Sequence, residues 1–419
     1  MKNMTKTKVW MLAILFISVF VVSCDNEEEP EGDAPVAGFA ADKVAVTTGE
    51  EIQFTDSSTE TPTSWSWNFG DSNTSTSQNP THSYDTEGTY SVSLTATNEF
   101  GSDEVTMTDY ITVTAEVVAS EAEILITYLE SNDSPLGKYY VNTDMPAIKS
   151  SEAVKTLMAT NDVYIIDIRA AAAYDTAHIE GAVNVAAGEV LNHIQITDLS
   201  AYTEISIVCY TGQTAGWVTS LCRLAGVDNV FSMKWGMCSW HIDFANPWNT
   251  SVGNGAILDF DQVDVPKGPE GDLPILSTGF DTGAEILEAR LDVVLAEGFG
   301  TAAISNSTVL DNKDDYYIVN YWTADEYADP GHIIGAMQYE PKQDIALDAA
   351  LKTLPTAKTI VVYCYSGQNS ANLAAYLRLI GYDAKSLKFG TNGMIYDQMT
   401  KSQWVDTEAK GYDFWTPSL

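Results

Sequence analysis

Apolar and polar positions alternate in short runs across residues 35–115. Residues 51–55, 90–97 and 110–114 each put every second side chain on one face, and clusters of Ser, Thr, Asn and Gly separate them. Such runs predict half-buried strands joined by turns, and hence a small β-sandwich. From residue 121 onward the pattern changes. Continuous apolar runs at 163–168, 205–209 and 359–363 alternate with helical segments such as 151–158 and 214–224, which predicts α/β structure with mainly parallel sheets. Near the N-terminus, Lys2, Lys6 and Lys8 precede an apolar run at 9–22. That run is shorter than the ~20 residues a spanning helix needs, and it has the layout of a cleaved signal peptide.

The second part of the chain repeats itself. Glu123-Ile124-Leu125 returns as Glu285-Ile286-Leu287, and Tyr164-Ile165-Ile166-Asp167 as Tyr317-Ile318-Val319-Asn320. His178-Ile179-Glu180-Gly181-Ala182 returns as His332-Ile333-Ile334-Gly335-Ala336, and Ser232-Met233-Lys234-Trp235-Gly236 as Ser386-Leu387-Lys388-Phe389-Gly390. Two homologous domains are therefore expected, at 121–249 and 281–419, joined by a Gly/Pro/Asp-rich linker at 250–280. They follow a signal segment at 1–23, an acidic tether at 24–34 and the sandwich at 35–115.

Charge narrows the partners. The chain carries 21 Lys and Arg against 58 Asp and Glu, net −37; removing residues 1–23 takes three lysines and no acid, leaving net −40. So negative a chain disfavours nucleic acid as a partner, and because the charge is spread along the sequence it reads as solubility. No His/Cys/Asp grouping has metal-ligand spacing and no glycine loop is of nucleotide type, so no cofactor is expected.

Two six-residue loops carry the candidate chemistry. Cys209-Tyr210-Thr211-Gly212-Gln213-Thr214 and Cys364-Tyr365-Ser366-Gly367-Gln368-Asn369 each follow an apolar strand and open a helix. Gly212 and Gly367 supply the positive φ that curls the loop, so backbone amides and the positive end of the helix converge on the thiol. A cysteine held there is expected to be more acidic than a free one. Asp167 and Arg169 can pair beside the first loop, either as a structural ion pair or with a direct role in the site. The second copy has Asn320 and Trp322 at those places, so activity is expected to favour Cys209. Cys222 aligns with Leu377 and reads as a core thiol. Cys238 follows the Trp235-Gly236 turn, which leaves a disulfide with Cys209 conceivable. His178 and His332 read as structural.

Three resemblances extend these readings. Val21-Val22-Ser23-Cys24 resembles a bacterial lipobox, which implies that Cys24 is diacylated and becomes the mature N-terminus. The acidic run Asp25, Glu27, Glu28, Glu29, Glu31 and Asp33 resembles the tether of lipoproteins exported to an outer surface, although a solvated spacer reads equally well. Trp65-Ser66-Trp67-Asn68-Phe69-Gly70-Asp71, Asn79-Pro80-Thr81-His82-Ser83-Tyr84 and Gly88-Thr89-Tyr90-Ser91-Val92-Ser93-Leu94 resemble the signature of PKD domains. This family commonly serves as a spacer or a weak binding surface, and Trp67, Phe69, Tyr84 and Tyr90 are expected in its core.

The two repeats resemble the rhodanese family. The matching features are Asp167-Ile168-Arg169 ending a strand, His178-Ile179-x-Gly181-Ala182, the cysteine loop, a helix closed by Gly226 and the Lys234-Trp235-Gly236 turn before Trp240. The resemblance implies sulfur transfer through a persulfide on Cys209, with Cys364 a weaker or regulatory site. The donor would be thiosulfate or a persulfide, the acceptor a thiol or cyanide. Six residues make the short, sulfur-sized form of the loop. These loops lack the cation many rhodaneses carry there, so an anionic donor is expected to be held by backbone N–H groups. Lipidation implies attachment to the cell envelope, at the outer membrane, through the anchor alone. Two other classes remain open: a surface binding protein that keeps the modules as scaffolds, and a thiol-disulfide exchange protein using Cys209 with Cys238.

Overall fold

The computed structural model describes residues 32–116 and 119–417. The signal segment, Cys24 and most of the acidic tether lie outside the described residues. The chain divides near residue 118 into two compact units.

The first unit is a β-sandwich. One sheet orders Phe39–Ala41, Ile52–Asp56 and Thr81–His82; the other orders Ala45–Thr47, Gly101–Thr114, Gly88–Asn98, Ser64–Asn68 and Thr74–Ser75. The alternation read from the sequence is met in Gly88–Asn98, where Val92, Leu94 and Ala96 point inward. Trp67, Phe69 and Tyr84 are buried, and their polar atoms are satisfied inside: Trp67 Nε1 donates to Ser77 O at 2.8 Å and Tyr84 Oη to Phe69 O at 2.9 Å. Tyr90, half-buried, stacks on Tyr84 with ring centroids 4.1 Å apart. His82 stacks on Phe69 and bonds Asp71 at 2.8 Å. These aromatics are core and turn anchors, and they leave no exposed stacking platform of their own.

In the second unit each repeat builds a five-stranded, all-parallel sheet with the same strand order. The first runs Val183–Asn184, Val163–Asp167, Glu204–Val208, Val230–Met233, Ile148–Lys149; the second runs Met337–Gln338, Tyr317–Asn320, Ile360–Tyr363, Ala384–Leu387, Ala303–Ile304. Side-chain caps start the helices: Ser120 for Glu121–Glu130, Ser150 for Ser151–Ala159, Thr282 for Gly283–Thr301 and Thr323, in a capping box with Glu326, for Ala324–Ala328. Each such cap is worth about 1 kcal/mol.

The two copies share one core. Helix Gln213–Leu224 lies between its own sheet and helix Gln368–Leu379, so every residue of it except Thr214 is buried. Ser220 Oγ donates to Asn372 O at 3.0 Å across that contact, and Tyr140 Oη to Asn372 Oδ1 at 3.2 Å. The helices approach so closely at Gly216 that a Cβ there would sit 2.9 Å from Asn372 Nδ2. The segment expected as a linker is packed along the unit. Phe260–Asp261 pairs with His332–Ile333, Lys267 pairs with Asp344 at 2.9 Å, and the backbone amides of Thr278 and Gly279 donate to Glu121. The C-terminal segment returns to the first copy: Trp415 pairs with His178, and Trp240 Nε1 donates to Asp413 O. No helix among the described residues is long and apolar enough to cross a membrane.

Where the copies meet, Glu130 accepts from Leu347 N–H at 2.8 Å, and burial pushes its carboxyl up to about 7, with Asp348 adding repulsion. A carboxyl raised in the folded state favours the protonated fold. Its stabilisation is complete below the unfolded value near 4.5 and is lost as pH rises through about 7. Glu130→Gln, which keeps the acceptor oxygen, is therefore expected to raise stability at pH 8 by about 1 kcal/mol and to leave it unchanged at pH 4. Urea midpoints at the two pH values check this.

Candidate active site at the first cysteine loop

Cys209 follows strand Glu204–Val208, and Gly212, at φ 85°, turns the chain into helix Gln213–Leu224. The loop carbonyls are tied outward. Met237 N–H donates to Cys209 O at 2.8 Å, Cys238 N–H to Tyr210 O at 3.1 Å and Trp248 Nε1 to Thr211 O at 3.3 Å. In a trans peptide the N–H points opposite to its C=O, so tethering these carbonyls turns the amides of residues 210–212 inward. Gly212 N–H reaches Cys209 Sγ at 3.1 Å and Ala215 N–H at 3.4 Å. Gly236 makes the tethering possible. At φ 60° and ψ −148° it lies under the loop, where a Cβ would sit 2.4 Å from Cys209 O.

Burial dominates the thiol's acidity. Cys209 is 5% exposed, and its removal from water pushes the thiol up from its ordinary value, against the pull of the amides of Ala215, Thr211, Gly212 and Thr214. The expected acidic cysteine is thus corrected: the amides are in place, but burial of the sulfur removes the solvent a resting thiolate needs. Cys222 and Cys238 are each pushed up to about 12 by burial. The four described cysteines are free thiols, and Cys238 Sγ donates to Phe244 O at 3.0 Å, so no Cys209–Cys238 disulfide is formed.

Asp167 and Arg169 form a buried ion pair, with Nη2 to Oδ2 at 2.6 Å and Nε to both carboxylate oxygens at 3.0 Å. Arg169 Nη2 also donates to Ala177 O, and the guanidinium lies 5.1 Å from the centroid of Tyr210, which is itself exposed. With its donors used in this way, Arg169 braces the loop from behind.

The second loop is built alike and closed differently. Thr391 and Asn392 N–H tie Cys364 O and Tyr365 O outward, and Gly390 lies beneath. Ser370 N–H alone reaches Cys364 Sγ, at 3.4 Å, among the described residues. Trp322 stacks on Tyr365 with centroids 4.3 Å apart and is 2% exposed. Asn320 bonds the Tyr363 hydroxyl. Ser366 and Asn369 are half-buried on this loop, and Ser366 Oγ accepts from Gln368 N–H at 3.4 Å.

The two glutamines of the loops do something their sequence position does not announce. Gln213 Oε1 accepts from Phe389 N–H at 3.1 Å, and Gln368 Oε1 from Trp235 N–H at 3.2 Å. Each loop therefore holds the other copy's Lys-aromatic-Gly turn. The side-chain oxygens of Gln213 and Gln368 thus fasten the copies together, which leaves the backbone amides of the loops free of this task. Thr211, Gln213 and Thr214 line a cavity of about 470 Å³ whose far wall is Phe299, just past the helix break at Gly298, together with the Lys388–Phe389 turn. Trp248 and the placing of the Lys388–Phe389 turn beside the first loop are what sequence reading missed. The repetition of Gln at the same loop position in both copies was the available signal.

Residues 150–243 and 306–395 match the model of the rhodanese-like domain, and residues 32–113 that of the PKD domain. The thiosulfate sulfurtransferase GlpE of Pseudomonas entomophila is 32% identical over 105 residues, which is 25% of this chain and 92% of that protein. The chain belongs to the rhodanese family of sulfurtransferases. Among solved structures, the PKD1 domain of the Vibrio cholerae metalloprotease PrtV is 36% identical, covering 20% of this chain and 100% of that one, TM-score 0.18. The human single-domain sulfurtransferase TSTD1 is 18% identical, covering 21% of this chain and 88% of that one, TM-score 0.19.

In this rhodanese the raised Cys209 thiol sets a pH dependence. Its thiolate fraction should still be growing above pH 8, so site-resolved alkylation of Cys209 by iodoacetamide should rise from pH 7 through pH 8 without levelling. A plateau below pH 8 would reveal a resting thiolate and contradict the dominance of burial.

Proposed function

We propose that the protein moves sulfane sulfur from thiosulfate or a persulfide to a thiol or cyanide through a persulfide on Cys209. The observation that carries this reading is the pair of amides, Gly212 and Ala215, that reach Cys209 Sγ in a loop whose peptide planes are oriented by three tethered carbonyls. Cys209 gives its proton to water and its thiolate attacks the outer sulfur of thiosulfate. A new S–S bond forms, the bond to the sulfonate sulfur breaks, and sulfite leaves with the electron pair. The persulfide accepts the loop amides as an oxyanion would. An acceptor thiolate then takes the outer sulfur and Cys209 leaves as thiolate.

For the second copy a scaffold role is favoured, because the buried Trp322 stands in place of Arg169 against Tyr365 and one amide reaches Cys364 Sγ. Cys364 is a weaker or regulatory site in this reading. Thiol-disulfide exchange is disfavoured by the Cys238 hydrogen bond to Phe244. At the N-terminus, the lipobox-like Ser23-Cys24 favours a lipid anchor in the bacterial envelope, with the PKD module as spacer.

Intact mass after incubation with thiosulfate or a polysulfide should show a gain of one sulfur atom, removed by cyanide. The gain should be absent in Cys209→Ala and kept within about twofold in Cys364→Ala. No gain in the wild type would leave a binding protein. Labelled palmitate should be incorporated into the wild type in bacterial cells and lost in Cys24→Ser.

A further inference from the structure

We propose that Lys388, contributed by the second copy, is the cationic counter-residue that holds an anionic sulfur donor beside the Cys209 loop; this rests on the sulfurtransferase reading above. The loop itself carries no cation, and Arg169 is consumed by Asp167. Lys388 is exposed, lines the cavity with Thr211, Gln213 and Thr214, and makes no ion pair or side-chain hydrogen bond among the described residues. Lys43, Lys138, Lys149, Lys267, Lys313, Lys401 and Lys410 meet carboxylates, whereas Lys388 keeps its charge uncompensated at the cavity wall.

Its place is fixed by the first loop. Gln213 bonds the backbone of Phe389, the next residue, which sits at φ 62°, so the loop that carries the sulfur also anchors the turn that carries the cation. The equivalent Lys234 lies 5.0 Å from the centroid of its neighbour Trp235, and at the second loop the buried Trp322 stacks on Tyr365. The arrangement is thus one-sided. In a chain of net −37 the long-range field repels small anions, and a cation lining the cavity supplies a counter-charge at short range. A cavity of about 470 Å³ accommodates more than thiosulfate and suits a small organic persulfide with a carboxylate. The shared chemistry is a sulfane sulfur next to a fixed negative charge.

The test uses the full chain and Lys388→Gln, Lys388→Arg and Lys388→Glu. Steady-state rates are measured with thiosulfate and with glutathione persulfide. Lys388→Gln should raise KM about tenfold for at least one of the two, with kcat within about twofold, Lys388→Arg should restore it, and Lys388→Glu should exceed it. The donor that moves identifies the source of the charge. Independently of turnover, the ratio of iodoacetate to iodoacetamide alkylation at Cys209 should fall about fivefold in Lys388→Gln, since the reagents differ in charge and little in size. Unchanged KM for both donors with an unchanged alkylation ratio, in a wild type that loads sulfur, overturns the proposal. A wild type that takes up no sulfur while the ratio still falls overturns sulfur transfer and leaves the cation's place at Cys209 supported.

Discussion

The site depends on which way three peptide planes face. Cys209, Tyr210 and Thr211 present their carbonyls to Met237, Cys238 and Trp248, and that outward bonding turns the opposite edges of the same planes toward the sulfur. The donors come from the segment that follows the Trp235-Gly236 turn, so the loop cannot hold its shape alone. Gly236 is required because backbone meets backbone there with no room for a Cβ. Trp248 in turn belongs to an aromatic group with Trp235 and Trp404, the last reaching in from near the C-terminus. A long-range packing contact therefore sets the orientation of a local amide.

Burial and amide dipoles pull the thiol in opposite directions, and the outcome bears on mechanism. Amides that stabilise a negative sulfur are most valuable once charge has formed, so a cradle of this kind favours the attacking thiolate and the persulfide over the resting thiol. The loop is organised for the charged intermediate, while burial favours the protonated thiol at rest. Electrostatic preorganisation does not require an acidic cysteine at rest.

Much of this was legible in the chain. The period-two runs gave the sandwich, the repeated apolar runs gave two like sheets, and Gly212 and Gly367 take the positive φ that the loops demanded. What escaped the sequence is non-local. The opposing effect of burial on Cys209 comes from tertiary packing, and a spacing rule has no access to it. Gln213 and Gln368 look like loop residues in either copy, and only the packing of Gln213–Leu224 on Gln368–Leu379 turns them into fasteners. The Gly/Pro/Asp-rich stretch 250–280 reads as flexible by composition yet finds partners in Asp344, Glu121 and His332–Ile333.

The replacement of Arg169 by Trp322 shows how a duplicated site can keep its shape and change its chemistry. Both side chains are flat and both lie against the tyrosine that follows the cysteine, Tyr210 in one copy and Tyr365 in the other. Arg169 needs Asp167 to be buried at all, since an unpaired guanidinium there would cost several kcal/mol. Removing the pair removes that requirement, and an indole can then fill the space by dispersion and stacking alone. The exchange leaves Tyr210 exposed and Tyr365 half-buried against a buried indole. One copy thereby retains access to its loop, and the other supplies the surface on which that loop is built.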